Sequence, residues 1–478
     1  MALQKEAERN AQALQSAFHG SFDLQIRTFT VNGAPAAAAF LDGMCDEMKI
    51  AECVMKPLTS RESFSLFGDT AAAVRARGFK GMGMREAAEI SAVAAAVTEG
   101  NLALFLENAE IAFLFSLQGF PKKGIDTPET EQNELGGSER FADSFKDNVT
   151  LLRRRLKTPD LVTERSVTGK TSRTDVVMCW LAGRADPEMV TKARRRLASA
   201  ELDTLLGSGY LKPFLDGGAK ALFSGTGYTE RPDMLAAKLS EGRIGIFVDG
   251  SPFALIVPYL FIDYFHTLDD YMGSPAYALF LRLLRLICFF VSTALPGMFV
   301  AACDFHPEVL PPSVMLDIAA AEAKTPFSLA FEAVAIHLIY EIVREAGLRM
   351  PVAIGHAVSI VGALVVGEAA VTAGLIAAPM LMVVALTAVA SAVIPKLHGP
   401  LALMRFGMIL LGGLTGFFGI FLALGLALAG TCALSPFGVP FTAPFTPFVR
   451  PEQKDAIIRA SWPRLGTDRP AIREMKRG

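Results

Sequence analysis

The most constraining feature of this sequence is an apolar stretch at residues 344–395, which reads REAGLRMPVAIGHAVSIVGALVVGEAAVTAGLIAAPMLMVVALTAVASAVIP. Between Arg349 and Lys396 the only charged residue is Glu368. Two apolar runs, 352–378 and 380–394, are separated by Pro379. Because a helix needs roughly 20 apolar residues to cross the hydrocarbon of a bilayer, we predict a membrane hairpin here.

The first helix of this hairpin is rich in small residues, and their helical phase predicts how it packs. Two small-residue stripes lie about 100° apart, as calculated from the helical period. Small residues let helix backbones approach closely in lipid, so we expect this helix to sit between two neighbours. The helix-packing positions are Gly355, Ser359 and Gly362 on one stripe and Gly367 and Gly374 on the other.

The remaining face of this helix carries an ionisable residue. It consists of Val361, Leu364, Glu368 and Thr372. An ionisable group inside a membrane span is costly, and a functional site is the default hypothesis for it. We therefore treat this face as a candidate pore face; the alternative is that Glu368 only forms hydrogen bonds within a helix bundle.

The composition fits a chain divided between a soluble and a membrane part. Of its 478 residues, 51% are hydrophobic and 20% are charged, and the net charge of −2 provides no basic field for binding nucleic acid. The six cysteines form no close pair, which disfavours a disulfide framework. The first residues contain no apolar core of a signal peptide, so we expect the N-terminal half to stay in the cytosol.

Changes of pattern along the chain divide it into five segments. We predict an α/β cytosolic N-terminal half with two small α/β domains, followed by an α-helical multi-span membrane domain. The first domain, linker, second domain, membrane domain and basic tail cover residues 1–121, 122–137, 138–275, 276–449 and 450–478. The membrane domain is expected to hold four to five spans, at about 277–303, 326–346, 352–378, 380–394 and 405–429.

The second of these spans is the most polar. It contains Glu332, His337 and Glu341, and the last two are four residues apart on one helical face. Polar groups at this spacing pair with each other or line a polar cavity.

The distribution of basic residues predicts an orientation but leaves one conflict. Arg282 with Arg285, Arg344 with Arg349, and Lys396 with Arg405 mark cytosolic ends of spans. Five full crossings then place the tail outside, yet residues 450–478 hold eight Lys and Arg against four Asp and Glu, which favours the inside. Either 326–346 does not cross fully, or the Pro-rich segment 435–448 folds back.

Familiar catalytic and ligand-binding motifs are missing from the sequence. Gly169-Lys170-Thr171 resembles the end of a phosphate-binding loop, but Glu164 stands where that motif needs glycine. The histidines and cysteines form no metal-binding pattern, and no nucleophile motif occurs. We expect no catalytic, cofactor or metal site and no enzyme activity. The basic runs 153–155 and 194–196 are predicted to be solvated helix faces, with contact to anionic lipid or an acidic partner as the alternative.

Several blocks in a fixed order resemble the A subunits of spore germinant receptors of the GerA type. They include ERFADSFKDNVTLLRRRLKTPDL at 139–161, TERPDMLAAKLSEGRIGIFVDGSPFALIVPYLFIDYFHTLDDY at 229–271, FHPEVLPPSVML at 305–316, YEIVREAGLRMP at 340–351 and SPFGVPFTAP at 435–444. The resemblance extends through 354–395 and covers nearly the whole chain after residue 137. The chain departs from the family's pattern at Glu368, where Gln is usual, at His337, where Glu is usual, and at 137–140, where the family has a Gly-Pro-Arg entry.

The resemblance implies a subunit of a receptor complex in the inner membrane of a bacterial spore, with its N-terminal domains on the core side. Its expected partners are a permease-like B subunit, a lipoprotein C subunit, membrane lipids and sister copies of itself. Such subunits are thought to assemble as a ring that releases ions when nutrients bind. The alternative function is a non-conducting structural and signalling hub that anchors and clusters the complex.

Overall fold

The computed structural model describes residues 1–59, 70–77, 83–119, 131, 133, 136–218, 221–350, 367–465 and 472–475. Two antiparallel sheets with flanking helices form the first half of the chain, and helices alone form most of the second half. The expected fold class is therefore confirmed for the two α/β units, while the number of membrane spans stays a prediction.

The first α/β unit is a five-stranded sheet in the order β1-β2-β4-β5-β3. Its strands are β1 (Leu24–Val31), β2 (Ala34–Leu41), β3 (Met84–Ala87), β4 (Asn101–Leu106) and β5 (Ala112–Ser116). Asn32 and Gly33 both have positive φ, as a two-residue hairpin turn between twisted strands requires. Helices α1 (Ala7–Ala17), α2 (Thr70–Arg77) and α3 (Ile90–Thr98) flank the sheet together with a helical segment at 47–59, and apolar cores lie on both faces of the sheet.

The second α/β unit repeats this plan with the strand order β6-β7-β9-β10-β8. Its strands are β6 (Leu161–Thr168), β7 (Thr174–Leu181), β8 (Gly227–Thr229), β9 (Ile244–Val248) and β10 (Ala254–Val257). Its helices are α4 (Phe145–Arg155), α5 (Pro187–Ala198) and α6 (Pro232–Ser240). Local chemistry sets the helix starts: the carboxylate of Asp186 accepts the N–H of Glu188 at 3.0 Å, and Pro187 follows as the first helical residue.

A buried ion pair joins the two α/β units. Arg153 of α4 is 1% exposed, and its Nε and Nη2 donate to the two carboxylate oxygens of Asp23 at 2.8 and 2.9 Å. The hydroxyl of Thr163 donates to the same carboxylate at 2.7 Å. The prediction of a solvated face is therefore wrong for Arg153, because the side chain points into this junction. Its neighbours Arg154 and Arg155 pair with Glu139 at the surface.

The helical half begins at α7, a 30-residue helix capped by Ser274. The described helices of eight or more residues are α7 (Pro275–Asp304), α8 (Pro312–Glu322), α9 (Leu329–Arg349), α10 (Ala378–Ala392), α11 (His398–Thr415) and α12 (Phe417–Ala433). At 1.5 Å per residue α7 is about 45 Å long, so Asp304 lies far from the α/β units. We call this end of the bundle the distal end; residues 305, 324, 374 and 416 meet there.

The single helix expected over 405–429 is two antiparallel helices in the structure. Gly416, with φ of 64°, separates α11 from α12 at the distal end, a conformation that glycine adopts without the steric cost of a Cβ. The chain therefore returns toward the α/β units once more than the sequence predicted.

The C-terminal segment then packs on the second α/β unit. Phe437, Val439, Ala443, Ile472 and Met475 lie in the apolar core on one face of its sheet, with residues of α5. Because the chain reverses once more at Gly416, the basic tail lies on the same side as the α/β units. The position of the tail therefore requires neither an incomplete crossing at 326–346 nor a fold-back at 435–448.

Candidate functional site

Part of the candidate pore face lies within the described residues, and this part is on the surface of the protomer. Residues 367–372 are helical, and the side chains of Glu368 and Thr372 are exposed. Gly367 is buried, with an ideal Cβ position 3.4 Å from Leu381 of α10. Val361, Leu364 and the packing positions Gly355, Ser359 and Gly362 lie outside the described residues.

The other predicted packing position, Gly374, ends this helix. Its φ of 67° places it in the left-handed region, and its ideal Cβ position is 3.3 Å from the carbonyl oxygen of Lys324. Gly374 therefore contributes a turn at the distal end of the bundle, where a side chain would be strained.

The three polar residues of α9 point into the protomer instead. Glu332 and His337 are buried, and Glu341 is partly buried. His337 Nδ1 lies 2.8 Å from the carbonyl oxygen of Ala333, one turn earlier in the same helix. Glu341 Oε2 lies 3.1 Å from His398 Nε2 at the start of α11. His337 and Glu341 share a face as predicted, but each bonds to a different group.

Arg405 holds this internal cluster together, and its position differs from the sequence interpretation. Because Arg405 is positively charged, the sequence predicted that it marks the cytosolic end of a span. In the structure, Arg405 is a residue of α11 and its side chain is buried. Its Nε donates to the carbonyl oxygen of Ser292 in α7 at 2.9 Å, and its Nη1 lies 3.4 Å from Glu341 Oε1. Glu341 of α9 and the carbonyl oxygen of Ser292 therefore bind Arg405 away from solvent.

A direct backbone contact between α7 and α11 accompanies this cluster. An ideal Cβ on Gly297 would stand 2.4 Å from the carbonyl oxygen of Met408, and one on Gly412 would stand 2.5 Å from that of Gly297. The two helices therefore touch through glycine, in the manner of close helix pairs in lipid. The sequence showed Gly412 in a glycine-rich run but gave no signal that Gly297 is its partner.

Between the α/β units and the helices lies a buried charge cluster that sequence reasoning missed. Arg282 of α7 donates from Nε to Asp270 at 3.2 Å and from Nη2 to Asp455 at 3.0 Å. Arg285 donates to Asp270 at 2.8 Å, and the hydroxyl of Tyr271 donates to Asp455 at 2.9 Å. Burial raises the pKa of Asp455, which makes the contact with Arg282 important for keeping it ionised. We call these five residues the junction cluster.

A second buried network stabilises the segment that precedes α7. Lys238 Nζ lies 2.8 Å from Asp263 Oδ1, and Arg243 pairs with the same carboxylate. Although burial acts in the opposite direction, the charges of Arg243 and Lys238 hold the pKa of Asp263 well below its usual range. Asp263 therefore remains a charged anchor that holds the segment before α7 to α6 and to the residue before β9.

Two described helices are long and apolar enough to cross a bilayer. They are Pro275–Asp304, with 30 residues, and Pro395–Thr415, with 21, while Ala378–Ala392 and Phe417–Ala433 are shorter apolar helices. Large apolar side chains are exposed around the bundle, among them Phe280, Ile287, Leu338, Met382, Leu414 and Phe421. A soluble exterior rarely exposes so many large apolar groups, whereas lipid accommodates them. In the part of the chain that the structure describes, no group of three or more His, Cys, Asp or Glu could hold a metal ion.

These features define a class of protein: two α/β units tied by buried charges to a helical bundle with an apolar exterior. The family model described as Bacillus/Clostridium GerA spore germination protein matches residues 12–472. The chain belongs to this family, as the sequence blocks predicted, and its general role is in spore germination.

Several relatives share most of the chain. Spore germination protein KA of Bacillus subtilis (strain 168) is 37% identical over 365 residues, which cover 76% of this chain and 67% of that protein. Spore germination protein B1 of the same organism is 28% identical over 472 residues, which cover 96% of this chain and 95% of that protein. The uncharacterized membrane protein YfkQ, also of that organism, is 33% identical over 458 residues, which cover 95% of this chain and 89% of that protein.

Among solved structures, the chain is similar to the N-terminal domain of the A subunit of the Bacillus megaterium spore germinant receptor GerK3. The two are 27% identical with a TM-score of 0.45, and the match covers 55% of this chain and 98% of that one.

Proposed function

We propose that this chain is the membrane subunit of a nutrient receptor that triggers spore germination, and that copies of it form a ligand-gated channel for ion release. Membership of the GerA family supports the receptor role. The observation that carries the channel role is the exposed carboxylate of Glu368 on an otherwise apolar helix. A charged group in that position requires water or a sister copy beside it.

Assembly places this face in a water-filled path. The stripe of Gly355, Ser359 and Gly362 docks against a neighbouring copy, while Gly367 packs on α10 of its own chain and the face of Glu368 and Thr372 stays free. Val361 and Leu364 on this face form an apolar constriction, which closes the path by excluding water until nutrient binding widens it.

The complex lies in the inner membrane of the spore, with both α/β units and the C-terminal segment on the core side. Membership of the GerA family supports a place in a receptor complex with other subunits. This chain accordingly works with a permease-like B subunit, which recognises the nutrient, and a lipoprotein C subunit. The apolar exterior of the bundle contacts membrane lipids.

Ion flux from vesicles that hold the full receptor complex tests the channel role. Glu368→Gln should change the cation selectivity, and Leu364→Ala should cause leak without nutrient or premature germination in spores. Glu345→Gln is the matched control, because this carboxylate is exposed on α9 and pairs with Arg349 at the surface. Unchanged conductance and germination in both pore-face variants would contradict the channel role.

The structural hub is the second candidate, and the charge contacts between the α/β units and the bundle favour it. A hub transmits a signal through contacts such as Arg282 with Asp455 without conducting ions itself. It predicts that vesicles with the complete complex pass no ions when nutrient is added, while the same complex still supports germination in spores.

A further inference from the structure

A group of carboxylates at the distal end is separate from the candidate pore face. Glu332 is the fourth residue of α9, in its first turn, and is 1% exposed. Its Oε2 accepts the N–H of Ala377, just before α10, at 3.0 Å. Its Oε1 is buried and has no hydrogen-bond partner. Half of this carboxylate therefore lacks the interaction that normally compensates for its removal from water.

Glu322, the last residue of α8, is in the same condition. Its Oε1 is also buried without a hydrogen-bond partner. In the described part of the chain, neither Glu322 nor Glu332 has a Lys, Arg or His partner within salt-bridge distance. An unpaired buried carboxylate costs several kcal/mol, so two of them in one region require a positive partner.

The surroundings of Glu322 increase this need. Burial, followed by the charges of Glu332 and Asp304, raises the pKa of Glu322 to about 7. The α10 helix, whose preceding residue Ala377 donates its N–H to Glu332, has no charged side chain. The other titratable groups near Glu322 include the thiol of Cys303 at the end of α7 and the ammonium of Lys324, two residues further along the chain, so three carboxylates stand against one lysine. Around neutral pH the region thus holds more negative than positive charge.

The three carboxylates are graded in exposure from the surface inward. Asp304 is exposed, Glu322 is half-buried and Glu332 is buried. Exposure therefore decreases from Asp304 at the distal surface to Glu332 in the interior of the bundle.

We propose that Glu322 and Glu332 together bind one hard cation at the distal end, in competition with a proton. Carboxylate oxygens prefer alkali and alkaline-earth ions over softer metals, and backbone carbonyls or water complete the coordination of such ions. A bound divalent cation neutralises both carboxylates, a bound monovalent cation neutralises one of the two charges, and either ion ties the end of α8 to the starts of α9 and α10. The site lies within one protomer and requires neither a ring nor ion flux.

Thermal unfolding of the purified full chain in detergent tests this site directly. NaCl, KCl and CaCl2 are each compared with N-methylglucamine chloride at equal ionic strength, once near pH 8 and once near pH 5. We expect at least one metal to raise Tm near pH 8 by about 3 °C at ten times its Kd. The rise should vanish near pH 5, because a proton then occupies the site.

Variants separate this site from a general salt effect. Glu332→Gln and Glu322→Gln should both lose the metal-dependent rise in Tm. If Glu332→Gln fails to fold, Glu322→Gln remains informative, because Glu322 is only half-buried. Glu308→Gln, which removes an exposed carboxylate between α7 and α8, should keep the metal-dependent rise in Tm. A Tm that does not respond to any of the three metals near pH 8, or a rise that survives in both site variants, would overturn the proposal. Neither result bears on the channel role, which the flux measurement tests.

Discussion

Arg282 and Asp455 are 173 residues apart in the chain, yet their side chains meet at 3.0 Å in a buried contact. Arg282 is in the first turns of α7, while Asp455 is in the C-terminal segment that follows the last helix. Arg282 also bonds to Asp270, in the segment that leads out of the second α/β unit. One guanidinium thus connects the entry to the helical bundle with the segment that leaves it.

Removal of this guanidinium should release the C-terminal segment. Arg282→Met keeps the apolar stem of the side chain but leaves Asp270 and Asp455 without their shared partner, at a cost of about 3–5 kcal/mol. Limited trypsin digestion should then cleave after Lys454 and Arg459 about tenfold faster or more, since local opening exposes these bonds. Arg349→Met is the control, because Arg349 is exposed on α9. Equal cleavage in Arg282→Met and the unmodified chain would contradict a joint at this residue.

The two adjacent arginines of α4 should differ sharply in their importance. Arg153→Met breaks the buried pair with Asp23 and should lower the free energy of unfolding of the α/β units by about 3–5 kcal/mol. Arg154→Met removes a partly exposed pair with Glu139 and should cost under about 1 kcal/mol. Urea unfolding followed by tryptophan fluorescence measures both, and equal losses would show that the junction is no stronger than a surface pair.

The same pair predicts an acid-sensitive contribution to stability. Burial opposes ionisation of Asp23, but Arg153 with the hydroxyls of Thr163 and Ser21 holds its pKa below its usual value. A lowered folded-state pKa means that this contribution is fully present above about pH 4 and is lost as the pH falls through the folded-state pKa. Unfolding midpoints should therefore fall more steeply below pH 4 in the unmodified chain than in Asp23→Asn. Asp160→Asn changes an exposed carboxylate and should keep the steep fall. If the unfolding midpoint of Asp23→Asn falls equally steeply, the acid sensitivity comes from groups other than Asp23.

The glycine contact between α7 and α11 should tolerate no side chain. In Gly297→Ala the new Cβ would meet the carbonyl oxygen of Met408 at 2.4 Å, so the helices must separate. We expect a loss of about 1–3 kcal/mol, as for overpacking elsewhere, and a lower Tm in detergent. Gly407→Ala in α11 is the matched control, since its Cβ would meet nothing within 4 Å. A Tm that falls equally in both variants would attribute the effect to glycine content and not to this contact.

The sequence predicted the features that depend on local pattern. The α/β character of both units follows from changes of pattern along the chain. The family followed from long ordered blocks. Each of these signals is contained within a short stretch of chain.

Features that depend on contacts between distant residues could not be predicted. Arg153 and Arg154 look alike in the sequence, but only the first faces Asp23. Arg405 resembles a charge at a membrane boundary until α7 and α9 surround it. Gly416 lies within a continuous apolar run, and the length of this run predicted one helix where the structure has two.

Side-selective labelling of single cysteines most directly tests whether the bundle crosses the membrane and returns the C-terminal segment to its starting side. In a chain with its six native cysteines replaced, Val309→Cys marks the distal end and Ile458→Cys marks the C-terminal segment, and both positions are exposed. A membrane-impermeant maleimide applied to intact cells should label Val309→Cys at once and Ile458→Cys only after permeabilisation. Labelling of Ile458→Cys in intact cells, or protection of Val309→Cys there, would contradict this arrangement.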